Sequence, residues 1–174
     1  MTRAEIGILG SYNKYKKSPF ETYYVGGDGM ELNIKRFHEL TNEELYAILK
    51  LRVDVFVVEQ NCTYPELDNC DQAAIHVYLK DENGVQAYLR VMDKEIESEY
   101  VSIGRVIAAK RRCGLGSQIL KEGLLVAQKH FGAKQIYLEA QTYARGFYEK
   151  LGFQQVSEEF LLDGIPHIKM ILHI

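Results

Sequence analysis

Apolar residues recur along this chain in two rhythms, one helical and one alternating. Leu45, Ile48, Leu49, Val53 and Phe56 follow Thr41 at helical spacing. Glu44, three residues after Thr41, completes a capping box at the helix start. A strand over LNIKRF (32–37) precedes that helix, and three follow it: AIHVYLK (74–80), VQAYLRVMD (85–93) and EYVSIGRVIAA (99–109). Asn83-Gly84 is a strong hairpin signal between the first two of these. In the third, alternation predicts Val101, Ile103, Arg105 and Ile107 on one face, so Arg105 needs an ion-pair partner or a ligand.

The rest of the chain alternates between helix and strand. GLGSQILKEGLLVAQKHFG (114–132) predicts a helix with Ile119, Leu120, Leu124 and Ala127 on its apolar stripe and Gly132 as its stop. A strand over KQIYLEA (134–140), a short helix over ARGFYEKLG (144–152) and one strand over FQQVSEEFLL (153–162) come next. DGIPH turns into a last strand, IKMILHI (168–174). The order β-α-β-β-β-α-β-α-β-β predicts a mixed α/β domain without the regular βαβ repeat of a doubly wound or barrel protein. Residues 1–30 carry scattered glycines and tyrosines without a sustained period. They read as an irregular N-terminal extension with room for a short strand, ahead of a single domain over 31–174.

Composition narrows the function classes. A chain of 174 residues with 47% hydrophobic residues can bury a core without metal or disulfide staples. With 21 basic and 24 acidic residues its net charge is −3, which argues against a nucleic-acid binder. Neither a membrane span nor a signal-peptide pattern is expected. Cys62, Cys70 and Cys113 read as free thiols of a reducing cytoplasm. Asp68, Cys70, Asp71 and His76 lie close in sequence, but no pair has zinc spacing, so no metal is expected. The loop EQNCTYPELDNCDQ (59–72) has four acids, Glu59, Glu66, Asp68 and Asp71, and no base. It reads either as a lure for a cationic ligand or as a solvated loop.

The stretch from Lys110 through Arg111, Arg112, Cys113, Gly114, Leu115 and Gly116 joins a strand to the long helix. Glycine admits a ligand close to the backbone, and the first helical turn offers unpaired N–H groups to an anion. It is neither a nucleotide P-loop nor a dinucleotide fingerprint. On spacing alone it reads equally as an anion site and as a plain helix start.

Arg111-x-x-Gly114-x-Gly116 after EYVSIGRVIAA resembles the acyl-CoA pyrophosphate motif of the GNAT N-acetyltransferases. Gln141-x-x-Ala144 and GFYEKLGF (146–153) resemble that superfamily's second cofactor region. LRVDVFVVEQNCTYPELD (51–68), IGRVIAA (103–109), YLEAQTYARGFYEKLGF (137–153) and DGIPHIKM (163–170) are similar to its ElaA-type group. The likeness covers about residues 31–172. It implies a central, mostly antiparallel sheet flanked by helices, with two splayed parallel strands forming the cofactor cleft. It further implies that backbone near Arg105, Val106 and Ile107 holds the pantetheine arm of acetyl-CoA, and that N–H groups of Arg112 through Gly116 hold the pyrophosphate. Cys113 stands where many relatives have glycine or a charged residue, and it reads either as a packing residue or, from its helix-start position, as an alkylation-sensitive thiol. Arg52, Glu59 and Gln60 carry group-specific resemblance and are expected at the acceptor pocket or its supporting ion pairs.

The activity so implied is transfer of an acetyl group to a primary amine by direct attack in a ternary complex. Tyr148 is expected to protonate the departing thiolate, and a backbone N–H near Val106 or Ile107 to steady the oxyanion. Glu59, His76, Glu139 and His167 are the candidates for the base, beside a water-mediated route. Glu139 is expected to be buried near the pocket, His76 also suits a core position, and His167 borders the acceptor site. Two other readings stay open: a noncatalytic acyl-CoA-binding or regulatory module, and a longer-chain acyltransferase. Exposed strands and hairpins admit a homodimer.

Overall fold

A computed structural model describes residues 22–25 and 29–174; the remainder of the N-terminal extension lies outside the described residues. Strand β1 (Thr22–Val25) pairs antiparallel with β2 (Met30–Arg36), so the end of the extension joins the sheet. Helix α1 (Asn42–Arg52) starts as predicted, with Glu44 N–H donating to Thr41 Oγ1 at 3.2 Å and Thr41 N–H to Glu44 Oε2 at 2.9 Å. It then widens to an i→i+5 winding over Val53–Glu59, and Gln60 N–H reaches Val55 O at 3.3 Å. Val53, where the winding changes, is exposed, whereas Arg52, the last residue of α1, is fully buried.

Strands β3 (Ile75–Asp81), β4 (Gly84–Met92) and β5 (Val101–Ala108) form a meander. Helix α2 (Leu115–Phe131) crosses to β6 (Gln135–Gln141), and short helix α3 (Arg145–Glu149) leads to β7 (Gln154–Gln155), β8 (Phe160–Leu162) and β9 (Ile165–His173). The strand order is β1-β2-β3-β4-β5-β6-β9-β7, with β8 also beside β9. Every pairing is antiparallel except β5 with β6. The fold is thus the mixed, mostly antiparallel α/β architecture expected.

One face of the sheet packs Leu89, Ile103, Leu138 and Ile168 with Ile119 and Leu120 of α2, and with Tyr148 and Phe153. The other packs Tyr78, Tyr88 and Ile107 with Ile48 of α1, Val55 and Phe56. Residues 153–162 make two short strands where the pattern predicts one. Ser157 breaks the ladder there: its Oγ, in place of a main-chain carbonyl, accepts the Lys169 N–H at 2.9 Å.

Candidate active site

Between β5 and β6 the ladder stops early. Only Val101↔Ile136 and Ser102↔Tyr137 pair, although β5 runs on to Ala108 and β6 to Gln141. The cause lies in β5 itself. Across β4, Tyr88 faces Ile107 but Arg90 faces Gly104, so three steps on β5 match two on β4. The extra residue is a bulge at Arg105, whose φ is +56°. The bulge also overturns the alternation read from the sequence. Val101 and Ile103 pack on the α2 face, whereas Ile107 packs on the α1 face. Past Ser102, no described strand pairs with the β5 edge that faces β6, and an open strand edge of this kind can take an extended ligand.

The far end of the gap meets the glycine loop. Gly114 caps α2 with φ +88°, and no side chain caps the helix. Gln118 N–H bonds Gly114 O, which leaves the N–H groups of Leu115, Gly116 and Ser117 without helical partners. The first turn has no acid, while Lys110, Arg111 and Arg112 are exposed beside it. Exposed Cys113 donates its thiol to Lys110 O at 3.0 Å. The loop therefore has the charge and the donors an oxyanion requires. Arg111 is also ion-paired with Glu59 at the end of the wide helix.

Tyr148 lies on α3, the short helix that follows β6. Its ring is buried between Phe147 and Phe153, with centroids 5.0 and 5.9 Å away, both edge-on. Its hydroxyl has no hydrogen-bond partner among the described residues, and burial pushes the phenol above its ordinary value. Across the gap, Gln141 exchanges two amide hydrogen bonds with Gln60, of 3.0 and 3.2 Å. This pair ties the end of β6 to the end of the wide helix.

The four base candidates separate by environment. His76 is fully buried, accepting from Tyr88 Oη at 2.9 Å and donating to Asp71 O at 3.0 Å, and burial lowers its pKa. Both ring nitrogens are used, so His76 is a core histidine. Glu139, expected buried, is exposed on the open face of β6, because Ile136, Leu138 and Ala140 take the core face. It accepts the Tyr137 hydroxyl at 2.6 Å. Glu59 is exposed and paired with Arg111. His167 lies opposite Gln141 in the β6–β9 register, buried, with Nδ1 2.8 Å from Ile165 O and its ring 6.2 Å from Phe160.

The acidic loop matches neither a lure nor a solvated loop. Glu66, Asp68 and Asp71 turn inward onto three arginines. Arg52 grips Glu66 through two bonds of 2.7 Å and Asp71 through another. Arg90 holds Asp71 at 2.9 Å, Asp68, and Glu97 at 3.2 Å. Arg105 reaches Glu66 and Asp68, each at 3.1 Å, and its guanidinium lies 6.0 Å from the ring of Phe56 and 5.9 Å from that of Tyr64. Burial alone would raise the Asp68 carboxyl, but hydrogen bonds and charge from Arg90 outweigh it and hold the group far below the usual range. For Asp71, likewise, the Arg52 contacts outweigh burial.

This network ties the loop to the bulged strand. Arg90 is a participant that pattern reading passes over, although its signal matches that of Arg105: an arginine amid Leu89, Val91 and Met92. Asp68, Cys70 and Glu97 have ligand-capable atoms within 4.8 Å of one another, but both carboxylates are engaged by Arg90. All three cysteines are free thiols, and no described helix is long and apolar enough to cross a membrane.

An acetyltransferase (GNAT) domain model matches residues 41–174. The chain is 39% identical to the ElaA protein of Escherichia coli over 136 residues, 76% of this chain and 89% of that protein. It is 37% identical to a UPF0039 protein of Schizosaccharomyces pombe over 149 residues, 83% and 98% of the two chains. Among solved structures, E. coli ElaA superposes with a TM-score of 0.77 at 36% identity, covering 83% of this chain and 99% of that one. An acyl-CoA N-acyltransferase from Pseudomonas aeruginosa gives 0.76 at 38% identity, covering 81% and 98%. The early end of the β5–β6 ladder, the bulge and the glycine loop sit within the matched region, and the chain belongs to the GNAT acetyltransferase family, with ElaA among its homologues.

Proposed function

We propose that this protein transfers the acetyl group of acetyl-CoA to a primary amine by direct attack in a ternary complex. The observation that carries the reading is the gap between β5 and β6, which runs from the Arg105 bulge to the unpaired N–H groups at the start of α2. The pantetheine arm lies along Arg105, Val106 and Ile107. The pyrophosphate takes the N–H groups of Arg112 through Gly116 and displaces Glu59 from Arg111. Gln141 flanks the thioester. Tyr148, whose phenol is protonated at neutral pH, gives its proton to the thiolate as the C–S bond breaks. A backbone N–H near Val106 or Ile107 meets the oxyanion.

The amine approaches on the face that carries Gln60, Gln141 and His167. A cationic acceptor finds its carboxylate at exposed Glu139, since the loop acids are held by arginine. We place this chemistry in the cytoplasm, in keeping with three free thiols, and with room for a homodimer at the sheet edges. Calorimetric titration with acetyl-CoA and desulfo-CoA tests the donor site. Saturable binding that is lost in an Arg111→Ala, Gly114→Ala double variant supports it. A folded wild type that binds neither at millimolar concentration refutes it.

A further inference from the structure

We infer that His167 is the general base of this site, acting through Nε2; the inference rests on the acetyl-transfer reading above. The ring's tautomer follows from its surroundings. Nδ1 lies 2.8 Å from the carbonyl oxygen of Ile165, and a carbonyl only accepts, so Nδ1 carries the hydrogen. In the neutral ring Nε2 is then a lone pair, and it has no partner among the described residues. A histidine 8% exposed, with one nitrogen fixed by the backbone and the other unengaged, is arranged for proton transfer rather than for packing. His76 shows the contrast, with both nitrogens bonded inside the core.

Position supports the same assignment. His167 and Gln141 are directly opposed across β6 and β9, so their side chains project to one face. The Gln60–Gln141 amide pair fixes that face as the α1 side, where the wide helix ends. Phe160, opposite His167 on β8, walls the imidazole from the other flank. The histidine thus stands one strand spacing, about 4.8 Å, behind the strand that borders the gap. Glu139 shares the strand and the face, but it is exposed and its carboxylate already accepts from Tyr137.

The step balances without a co-reactant. Nε2 takes one proton from the ammonium group. The freed nitrogen lone pair forms the C–N bond while the carbonyl π pair moves to oxygen. Collapse restores C=O and breaks C–S, and the thiolate takes the Tyr148 proton. The second amine proton returns to Tyr148 through water, and His167 releases the first to solvent. The products are the amide, free CoA and one proton.

His167→Asn is the informative variant, because the asparagine amide can still donate to Ile165 O while lacking a base. Full-length wild type and variant would be compared with acetyl-CoA and two kinds of nucleophile. One is a panel of ammonium-form amines: spermidine, glucosamine and a lysine peptide. The other is hydroxylamine, which is neutral at pH 7. The expected result is unchanged acetyl-CoA binding with about a 10²–10⁴-fold fall in kcat for any turned-over panel amine. The fall for hydroxylamine should be much smaller. Equal losses for both nucleophiles, or unchanged rates, would overturn the assignment. Imidazole ¹⁵N NMR of the acetyl-CoA complex decides it independently of the acceptor. The Nδ1–H tautomer supports the base, and the Nε2–H tautomer removes it. Failure of the wild type to bind acetyl-CoA would instead count against the proposed function.

Discussion

Tyr148 and Tyr78 show how one residue type serves two ends. Tyr78 donates to Glu44 Oε1 at 2.7 Å, so its hydroxyl is part of the scaffold. Tyr148 is also buried but has no such partner among the described residues, and two aromatic rings, Phe147 and Phe153, pack edge-on against it. Deleting the Tyr148 hydroxyl therefore leaves no donor or acceptor stranded, and folding should be almost indifferent to Tyr148→Phe. If the phenol protonates the thiolate, kcat should still fall by about 10²-fold or more, with acetyl-CoA affinity unchanged. Steady-state kinetics beside a calorimetric titration separates the two effects, and an unchanged kcat would remove Tyr148 from the chemistry. Cys113 offers a second check at this scale. Its exposed thiol sits in the proposed pyrophosphate loop, so iodoacetamide should label it and acetyl-CoA should slow the labelling. Equal labelling rates with and without ligand would place the phosphates elsewhere.

At the scale of elements, α2 packs closely on the strands that carry the bulge. A Cβ built on Gly123 would lie 2.7 and 2.9 Å from the two methyls of Leu89 and 3.4 Å from Ile103, all in the buried core. The glycine lets α2 settle directly over β4 and β5, the two strands that form the bulge. Gly123→Val should thus cost about 1–3 kcal/mol by overpacking, read as a lower urea midpoint. An unchanged midpoint would mean that Leu89 swings aside at little cost. Nothing in the sequence singles out Gly123, because a glycine in a long apolar helix carries no local signature. The elements that were legible had their determinants within a few residues: the Thr41–Glu44 box at the start of α1 and Gly132, at φ +59°, at the end of α2. What pattern reading misplaced depended on distant partners. Arg105 reads as one member of an alternating face, but in the fold it sits at the bulge against β4 with its side chain on the loop carboxylates, and residues 153–162 read as one strand until Ser157 meets Lys169. The same division holds at the site. The glycine loop and Tyr148 lie in compact motifs, whereas the Gln60–Gln141 bond joins residues 81 positions apart.

For the whole molecule, the ionic network is the joint between the loop and the bulged strand of the sheet. Arg52, Arg90 and Arg105 face Glu66, Asp68 and Asp71, with Glu97 at the edge, and Arg52 and Arg90 are wholly buried. Removing one buried cation strands carboxylates away from water, so Arg52→Met should cost about 3–5 kcal/mol. Adding Glu66→Gln should recover part of that loss, because the two changes share one contact. The network also sets the response to acid. Arginine holds the folded-state pKa values of Asp68 and Asp71 below their ordinary value. At pH values just under about 3.9 the unfolded chain therefore binds protons that the folded chain does not. Their stabilising contribution is complete above the unfolded value and is lost as pH falls toward the folded ones, so stability should decline with acid from about pH 5 downward. Asp68→Asn removes one of these groups and should flatten the decline between about pH 5 and 3 while lowering stability at pH 7. Urea midpoints across that range measure both, and a variant with the wild-type slope would mean that Asp68 titrates alike in both states. The loop carries Tyr64 against Arg105 and reaches Asp163 of the β8–β9 turn through Cys62, so acid that frees it should also loosen the β8–β9 hairpin around His167.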